Sequence, residues 1–263
     1  MAYVYSYRLI PRAAQKTSAW SGGTTTELAI FPEDASYAAR NFQWRLSTAI
    51  VTAEESTFTA LPDWHRLLMV LAGSMQLTHA GHHQVTLQPF EQDSFSGNWS
   101  THCVGQGQDF NLMLAAGWQG RLQTHTMAEG EKVYEIAISD GSDGSTEAFY
   151  CFAGRLKAHL SLPLLPSEAS DSEIDVEVEV HKGDFLLLQP IVLEEKASER
   201  GHSGQGAQGA QSGRSGLARP NGQIGQSGHS GRIRFSATGH DHEPVQLIHA
   251  SIIRVKKRNH EGA

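Results

Sequence analysis

Short segments in which hydrophobic and polar residues alternate dominate the chain. From Phe42 to Val51, every second side chain lies on a largely apolar face, and the residues between them are mostly polar. Ile174–Val180 places four apolar residues on one face and three acids on the other. A period of two is that of a β-strand with one buried face, and the second segment suits a sheet edge protected by charge. No segment before Gly120 has a helical period, so we expect an all-β protein with at most short helical pieces.

Turn residues divide the other hydrophobic segments into pieces of strand length. The remaining strand predictions are Leu28–Phe31, two strands between Arg66 and His79 around a turn at Gly73, Gln84–Leu87, Asp109–Ala115, Val133–Ser139, Phe149–Leu162, Phe185–Leu188, Ile233–Ala237 and Val245–Val255. Many short strands separated by Gly, Pro, Asn and Asp are typical of β-sandwiches and barrels. The length allows two such units, which we place at residues 1–122 and 123–263, with the seam near 120–131.

One segment differs from the rest in composition. Residues 196–232 contain 10 Gly, 6 Ser and 5 Gln, so these three residue types fill 21 of the 37 positions. Leu217 and Ile224 are its only large aliphatic residues, and it has no aromatic residue. Such a segment buries too little surface to offset the entropy of ordering it. We expect a disordered insert between two strands of the second unit, with a partner-binding arm as the functional alternative.

Charge and hydropathy exclude several classes of partner. The formal net charge is −7, whereas a nucleic-acid-binding protein usually has a basic excess. The longest apolar run, Leu67–Gly73, is too short to cross a bilayer, and the N-terminal residues lack the apolar region of a signal peptide. We therefore expect a cytoplasmic protein with neither nucleic acid nor membrane as a partner. Two cysteines, Cys103 and Cys151, cannot form a disulfide framework and suit buried apolar positions.

Two groups of histidines are candidate metal ligands. The first is His79 with His82 and His83, and the second is the segment 240–243, His-Asp-His-Glu. Imidazole and carboxylate groups bind iron and zinc in many β-proteins. However, Gly81 in the first group and Gly239 and Pro244 beside the second indicate turns, where histidines usually face solvent. We therefore expect no metal and no cofactor, and keep a metal site as the alternative.

A glycine-rich segment before the first predicted strand is a candidate binding element. Trp20 is followed by Gly22 and Gly23, which allow positive φ and close approach of the backbone. Thr24 and Glu27 come next and carry a hydroxyl and a carboxylate. These side chains either line a pocket or cap a turn, and the segment alone does not distinguish the two.

The strand around Trp44 presents a charged group on its other face. Arg45 and Ser47 alternate with Trp44 and Leu46, so the arginine points inward if the aromatic face packs between sheets. An inward arginine needs an anion or an acidic partner. The alternatives are therefore a bound anion and a structural Arg–Asp pair.

Two further strands carry polar residues with the same orientation. Asp109 and Asn111 alternate with apolar residues, and Arg66 opens the strand that ends at Gly73. Arginine, amide and hydroxyl groups on neighbouring strands suit a small ligand that bears a carboxylate. The candidate ligand-binding residues are Trp20, Thr24, Glu27, Trp44, Arg45, Ser47, Arg66, Asp109 and Asn111.

Five motifs over about 95 residues make the sequence recognisable. They are Trp20-x-Gly-Gly-Thr-Thr-x-Glu27, Phe42-x-Trp-Arg-Leu-Ser47, Pro62-x-x-x-Arg66, Phe95-x-Gly97 and Asp109-Phe-Asn-Leu-Met113. In this order they resemble the HutD/Ves family. The resemblance implies a bicupin, with two antiparallel, jelly-roll-like β-barrels in one chain, and an association with histidine utilisation or stress induction. The segments Phe149–Leu165 and Gly183–Leu188 resemble the second half of the family less specifically.

The resemblance implies a non-catalytic protein that binds an intermediate of histidine breakdown, such as formylglutamate or urocanate. In this reading Arg45 and Arg66 hold a carboxylate, and Trp20 or Trp44 forms a wall of the site. The sequence lacks the metal motifs of cupins, because Gly73 is not followed by a His-x-His at the spacing of metal cupins and no Pro-x-Gly-x-x-His lies between residues 89 and 103.

Three functional hypotheses follow from the sequence. The first is a regulatory or accessory cupin that binds a small anionic metabolite. The second is a metal-dependent cupin enzyme of the dioxygenase or isomerase type, with iron, manganese or zinc held by His240, His242 and a residue distant in the sequence. The third is an interaction protein that uses the insert. A homodimer is the assembly we consider.

Overall fold

The computed structural model describes residues 3–128, 134–138, 145–163, 173–192, 223–224, 231–237 and 244–255. These residues form β-strands, with one short 3₁₀ helix at Arg12–Ala14, so the all-β prediction is confirmed. The strands are β1 (Tyr3–Ile10), β2 (Lys16–Trp20), β3 (Gly23–Phe31), β4 (Trp44–Val51), β5 (Glu55–Thr57), β6 (Trp64–Gly73), β7 (Met75–His79), β8 (Gln84–Leu87), β9 (Gln92–Ser96), β10 (Thr101–Val104), β11 (Gly107–Ala115), β12 (Trp118–Met127), β13 (Tyr134–Ile138), β14 (Ser145–Ala153), β15 (Arg155–Pro163), β16 (Glu173–His181), β17 (Phe185–Val192), β18 (Gln223–Ile224), β19 (Gly231–Ala237) and β20 (Val245–Arg254).

The strands form four antiparallel sheets. The first inner sheet has the order β2-β3-β4-β11-β6-β9, and the first outer sheet has the order β5-β10-β7-β8. The second inner sheet has the order β12-β20-β14-β17-β1-β18, and the second outer sheet has the order β13-β19-β15-β16. Each inner sheet shares one apolar core with its outer sheet, and the two inner sheets share a third core. The order of layers is therefore outer, inner, inner, outer.

The central core lies between the two inner sheets. Trp44 and Phe110 contribute to it from the first inner sheet, and Phe185 and Ile248 from the second. Burying side chains of this size contributes about 1.5 to 3 kcal/mol each. The apolar face of β4 thus packs in the core between the two halves. Because side chains alternate along a strand, the other side chains of β4 point toward the first outer sheet.

Two predictions about architecture need correction. The expected closed barrels are not present, because among the described residues each sheet is an open series of strands that packs face to face on the next. Phe149–Leu162 is not one strand, because Gly154 at φ +76° turns the chain between β14 and β15. A Cβ atom at Gly154 would lie 2.8 Å from Val245 Cγ2, so the turn also allows close packing.

The two halves share strands across residue 122. β1, at the N-terminus, pairs with β17 in the second inner sheet, and Tyr7 lies opposite Leu188. β12 passes through residue 122 and pairs with β20 of the same sheet. The sequence predicted neither of these strands.

Two smaller predictions are confirmed, the charged edge strand and the buried free cysteines. β16 is the edge strand of the second outer sheet; Glu177 and Glu179 are exposed, and Val180 is buried. Cys103 and Cys151 are free and fully buried, and burial raises their pKa values to about 11 and about 12. Most of the insert at 196–232 lies outside the described residues; β18 and the start of β19 are the described parts. No described helix is long and apolar enough to cross a membrane.

Candidate functional site

Part of the first inner sheet carries polar side chains on the side that faces the first outer sheet. Arg45 and Ser47 come from β4, Asp109 and Asn111 from β11, and Arg66 from β6, and all five are at most 6% exposed. The register pairs Asn111 with Ser47, and it pairs Met113 with both Arg45 and Arg66. Alternation on three neighbouring strands therefore brings these five predicted site residues together, as the sequence predicted. We call them the interior polar cluster.

Arg45 is neutralised within the protein. Its Nε donates to Glu27 Oε2 at 2.8 Å, and its Nη1 donates to Ser47 Oγ at 3.0 Å. The Tyr37 ring lies 4.6 Å from the guanidinium carbon. The acidic partner that an inward arginine needs is thus Glu27, whose side chain is 28% exposed at the margin of the cluster. The sequence considered an Arg–Asp pair, and the structure supplies a glutamate instead.

Arg66 has a different environment. No described residue forms a hydrogen bond or an ion pair with its guanidinium, and its Nε is buried without a partner. Its contacts are aromatic: the guanidinium carbon lies 4.8 Å from the centre of the Phe58 ring and 5.2 Å from that of Phe95. Burial lowers the pKa of Arg66 to about 10, although the carboxyl of Asp109 raises it. Arg66 is therefore a buried cation without a counter-ion in hydrogen-bond contact.

Asp109 and Asn111 each carry an unpartnered oxygen. Oδ1 of Asp109 and Oδ1 of Asn111 are buried and accept no hydrogen bond from the described residues. Burial raises the pKa of Asp109 to about 7, even though Arg66 and the backbone N–H of Ala49 lower it. The Asp109 carboxyl is thus partly protonated at neutral pH. A protonated carboxyl and an amide provide hydrogen-bond donors beside the cation.

Three predicted site residues lie elsewhere. Trp44 points into the central core, where it stacks on Phe31 at 5.6 Å, so it does not line the interior polar cluster. Thr24 is three residues from Glu27 on β3, which places its side chain on the opposite face. Trp20 is 37% exposed in the hairpin that joins β2 to β3. The sequence analysis grouped these three residues with the cluster because they occur in the same motifs. In the structure, their positions along the strands place their side chains outside the cluster.

The paired glycines after Trp20 have a structural explanation. A Cβ atom at Gly22 would meet the Trp20 ring at 2.1 Å, and one at Gly23 would meet the Ile50 carbonyl oxygen. The Gly22 carbonyl accepts hydrogen bonds from the backbone of Thr52 at 2.9 Å. This segment therefore closes a hairpin tightly against β4, which favours the turn interpretation over the pocket interpretation.

A groove of about 320 Å³ reaches the margin of the interior polar cluster. Glu27 lines it, together with Arg8 and Glu33, which form an ion pair at 2.8 Å, and Lys16. Glu27 thus borders both the groove and the guanidinium of Arg45.

The histidines of the first candidate metal group occupy different environments. His82 and His83 are exposed on the turn between β7 and β8, as expected, whereas the side chain of His79 is fully buried. His79 and His83 both contact Asp93 on β9, a residue that sequence reasoning missed. The second candidate group, 240–243, lies outside the described residues.

A second buried polar group lies between the sheets of the other half. His249 Nε2 on β20 is 2.6 Å from Glu147 Oε2 on β14, and Ser251 donates to Glu147 Oε1 at 3.1 Å. Phe149 stacks on the His249 ring at 4.5 Å. The sequence pattern did not single out these residues. Glu147 lies before the predicted strand Phe149–Leu162, and His249 and Ser251 each have apolar neighbours on both sides.

Known proteins with related sequences identify the family. The sequence profile of HutD matches residues 12–190 of this 263-residue chain. The chain belongs to the HutD family. An uncharacterized 21.2 kDa protein from the hutC 3′ region of Pseudomonas putida is 30% identical to this HutD-family chain over 181 residues. The match covers 65% of the chain and 88% of the relative.

Solved structures share the fold of this HutD-family chain. A conserved protein of unknown function from Pseudomonas aeruginosa PAO1 is 21% identical, with a TM-score of 0.61 over 94% of this chain and 98% of that one. HutD from Pseudomonas fluorescens SBW25 is 18% identical, with a TM-score of 0.52 over 93% and 97%. The vicilin of Solanum melongena is 10% identical, with a TM-score of 0.57 over 94% and 84%. These similarities establish a cupin-like all-β fold.

Proposed function

We propose that the interior polar cluster binds a small carboxylate, with Arg66 as the group that holds the anion. The observation that carries this proposal is that Arg66 is 94% buried and that its guanidinium makes no hydrogen bond or ion pair with any described residue. A buried cation without a partner is strongly unfavourable, and a bound carboxylate would supply both the charge and the hydrogen-bond acceptors.

The neighbours of Arg66 fit the rest of such a ligand. Asp109 and Asn111 have unpartnered polar atoms on the adjoining strand, and Phe58 and Phe95 give the site apolar walls. The guanidinium of Arg45 is already held by Glu27 and Ser47, so Arg45 is not part of the proposed contact with the ligand. Of the two arginines in the sequence hypothesis, Arg66 is therefore the one that we propose as the binding group.

We propose further that the ligand is an intermediate of histidine breakdown, such as formylglutamate or urocanate, and that the protein has a regulatory or accessory role in histidine utilisation. Membership of the HutD family and the relative from the hutC 3′ region support this context. Both ligands carry a carboxylate for Arg66. The chain also lacks the two cupin metal motifs beside this cluster, which favours binding over metal-dependent chemistry there.

A thermal-shift panel tests the proposal. The purified chain is heated with formylglutamate, urocanate, glutamate, formate or histidine, and with chloride as a salt control. A ligand at about 100 times its Kd should add about 2.7 kcal/mol of stability, which is about 5 to 10 °C in Tm for a protein of this size.

Two variants make the panel specific. Arg66→Met should abolish the shift, because it removes the cation and keeps most of the apolar volume. Arg121→Met changes an exposed arginine on β12 and should keep the full shift. If no carboxylate raises the Tm, or if Arg66→Met responds as the unmodified protein does, the proposal is wrong.

A further inference from the structure

A further group of polar side chains lies in the first half, where the turn between β7 and β8 meets β9. His79 ends β7, His83 follows on the turn to β8, and Asp93 lies on β9. His79 Nε2 is 2.8 Å from Asp93 Oδ2, and His83 Nε2 is 3.1 Å from the same oxygen. One ligand atom from each residue lies within 4.8 Å of the other two. Two imidazoles and one carboxylate therefore converge on a single point.

The backbone fixes this arrangement. The N–H of His79 donates to the carbonyl of His83 at 2.8 Å, which closes the turn and brings the two rings to 4.6 Å from each other. The backbone N–H of Ser94 donates to Asp93 Oδ1 at 2.8 Å and orients the carboxylate. His82, on the same turn, is stacked on Trp99 at 3.8 Å. The three side chains are thus held in place before any ligand arrives.

The second nitrogen of His79 also has a partner within the protein. Nδ1 is 2.8 Å from the hydroxyl of Thr101, which itself lies 3.5 Å from the Trp99 carbonyl. When that hydroxyl donates to the carbonyl, it accepts the proton of Nδ1 and leaves a lone pair on Nε2. The lone pair then faces a carboxylate oxygen, an arrangement that a cation between them would stabilise.

We infer that His79, His83 and Asp93 form a binding site for a divalent transition metal of the zinc class. Imidazole nitrogen and carboxylate oxygen are ligands that Zn²⁺ accepts, and three protein ligands leave a position for water or a further ligand. The side chain of His83 is 40% exposed and that of Asp93 is 14% exposed, so the ion can enter from solvent.

This site is separate from the interior polar cluster. Phe95 stands between them, with its ring 4.4 Å from that of His79 and 5.2 Å from the guanidinium carbon of Arg66. The metal site therefore does not depend on the proposed carboxylate site, and either can be absent without the other.

Zinc titration of the full chain without an affinity tag tests the inference. Calorimetry with ZnCl₂ should show one tight site per chain, because three ligands are preformed. Asp93→Asn and His83→Gln should each weaken that site by about tenfold or more, since even residues that only support metal ligands commonly change affinity by that factor. His102→Gln is the control, because the side chain of His102 on β10 is 44% exposed and forms an ion pair with Glu55 at 3.5 Å, away from the three proposed ligands.

A spectroscopic measurement distinguishes this site from other histidines of the chain. Co²⁺ bound in place of Zn²⁺ should give visible absorption that is lost in Asp93→Asn and His83→Gln and kept in His102→Gln. His83 is largely exposed, so His83→Gln should fold normally, with unchanged circular dichroism. The inference is overturned if the unmodified chain binds no stoichiometric zinc, or if the two ligand variants bind it as tightly as the control.

Discussion

At the scale of single residues, two arginines with similar sequence signals have different environments. Arg45 and Arg66 both lie opposite Met113 in the register, on the same face of the first inner sheet. Glu27 neutralises Arg45, whereas no described residue forms an ion pair with Arg66. Alternation along β4 and β6 predicted that both face inward. It could not predict their partners, because Glu27 reaches Arg45 from another strand.

The two arginines should respond oppositely to the same substitution. Arg66→Met should raise the free energy of unfolding of the ligand-free protein by about 1 to 4 kcal/mol, because it replaces a buried unpaired charge with an apolar side chain. Arg45→Met should lower it by about 1 to 3 kcal/mol, because Glu27 and Ser47 lose their partner. Urea denaturation of both variants measures the difference. A loss of stability in Arg66→Met equal to that in Arg45→Met would contradict this view of Arg66.

Asp109 should make stability depend on pH. Its pKa is raised to about 7 in the folded protein, so between about pH 4 and pH 7 the folded state holds a proton that the unfolded state releases. Stability should therefore fall as the pH rises through this range, by up to about 1.4 kcal/mol per pH unit from this group.

The comparison with Asp109→Asn isolates this effect from other titrating groups. The variant cannot release the proton, so its stability relative to the unmodified protein should increase from pH 5 to pH 8. Urea denaturation at several pH values measures both curves. Parallel curves would show that Asp109 is ionised throughout the range in the folded protein.

At the scale of elements, the sequence predicts strands where an apolar face and a turn residue coincide. β6 and β7 were expected on either side of Gly73, and β8 was predicted with its observed bounds. Strands such as β2 and β9 were missed, because their residues are largely exposed or polar and give no alternating signal. These edge strands are held by backbone pairing to a neighbour, which a local hydrophobic pattern does not report.

Two turn glycines with similar dihedral angles should differ in their tolerance of alanine. Gly73 has φ +79° and Gly81 has φ +77°. A Cβ atom at Gly73 would lie 2.2 Å from the Gln106 carbonyl oxygen, whereas none of the described atoms lies within 4 Å of one at Gly81. Gly81→Ala should therefore cost about 1 to 2 kcal/mol, for the left-handed backbone alone.

Gly73→Ala should cost about 2 to 5 kcal/mol, because the backbone must also move away from the new methyl group. Thermal and urea unfolding of the pair measure this difference. Equal losses in the two variants would show that the close approach of Gln106 to Gly73 can relax without a penalty.

At the scale of the whole molecule, the central core joins the two halves. β1 belongs to the second inner sheet although it begins the chain, and β12 crosses residue 122. The sequence predicted two units that meet near residue 122, but it could not show this exchange of strands, because pairing between distant strands leaves no local pattern. It also led us to expect closed barrels, whereas the described sheets remain open.

The shared core predicts that both halves unfold together. Cys103 lies in the core of the first half and Cys151 in that of the second, and both are fully buried. Thiol labelling at increasing urea concentrations, followed by mass spectrometry of the two peptides, should give the same midpoint for both cysteines. Two clearly separate midpoints would show that the central core does not couple the halves.

The central claim is that Arg66 holds the carboxylate of a small ligand inside the first half. The most direct measurement is a crystal structure of the protein with the carboxylate that gives the largest thermal shift. We expect a carboxylate oxygen within about 3 Å of a guanidinium nitrogen of Arg66, beside Asp109 and Asn111. A ligand bound elsewhere, with Arg66 still without an anion, would contradict the account.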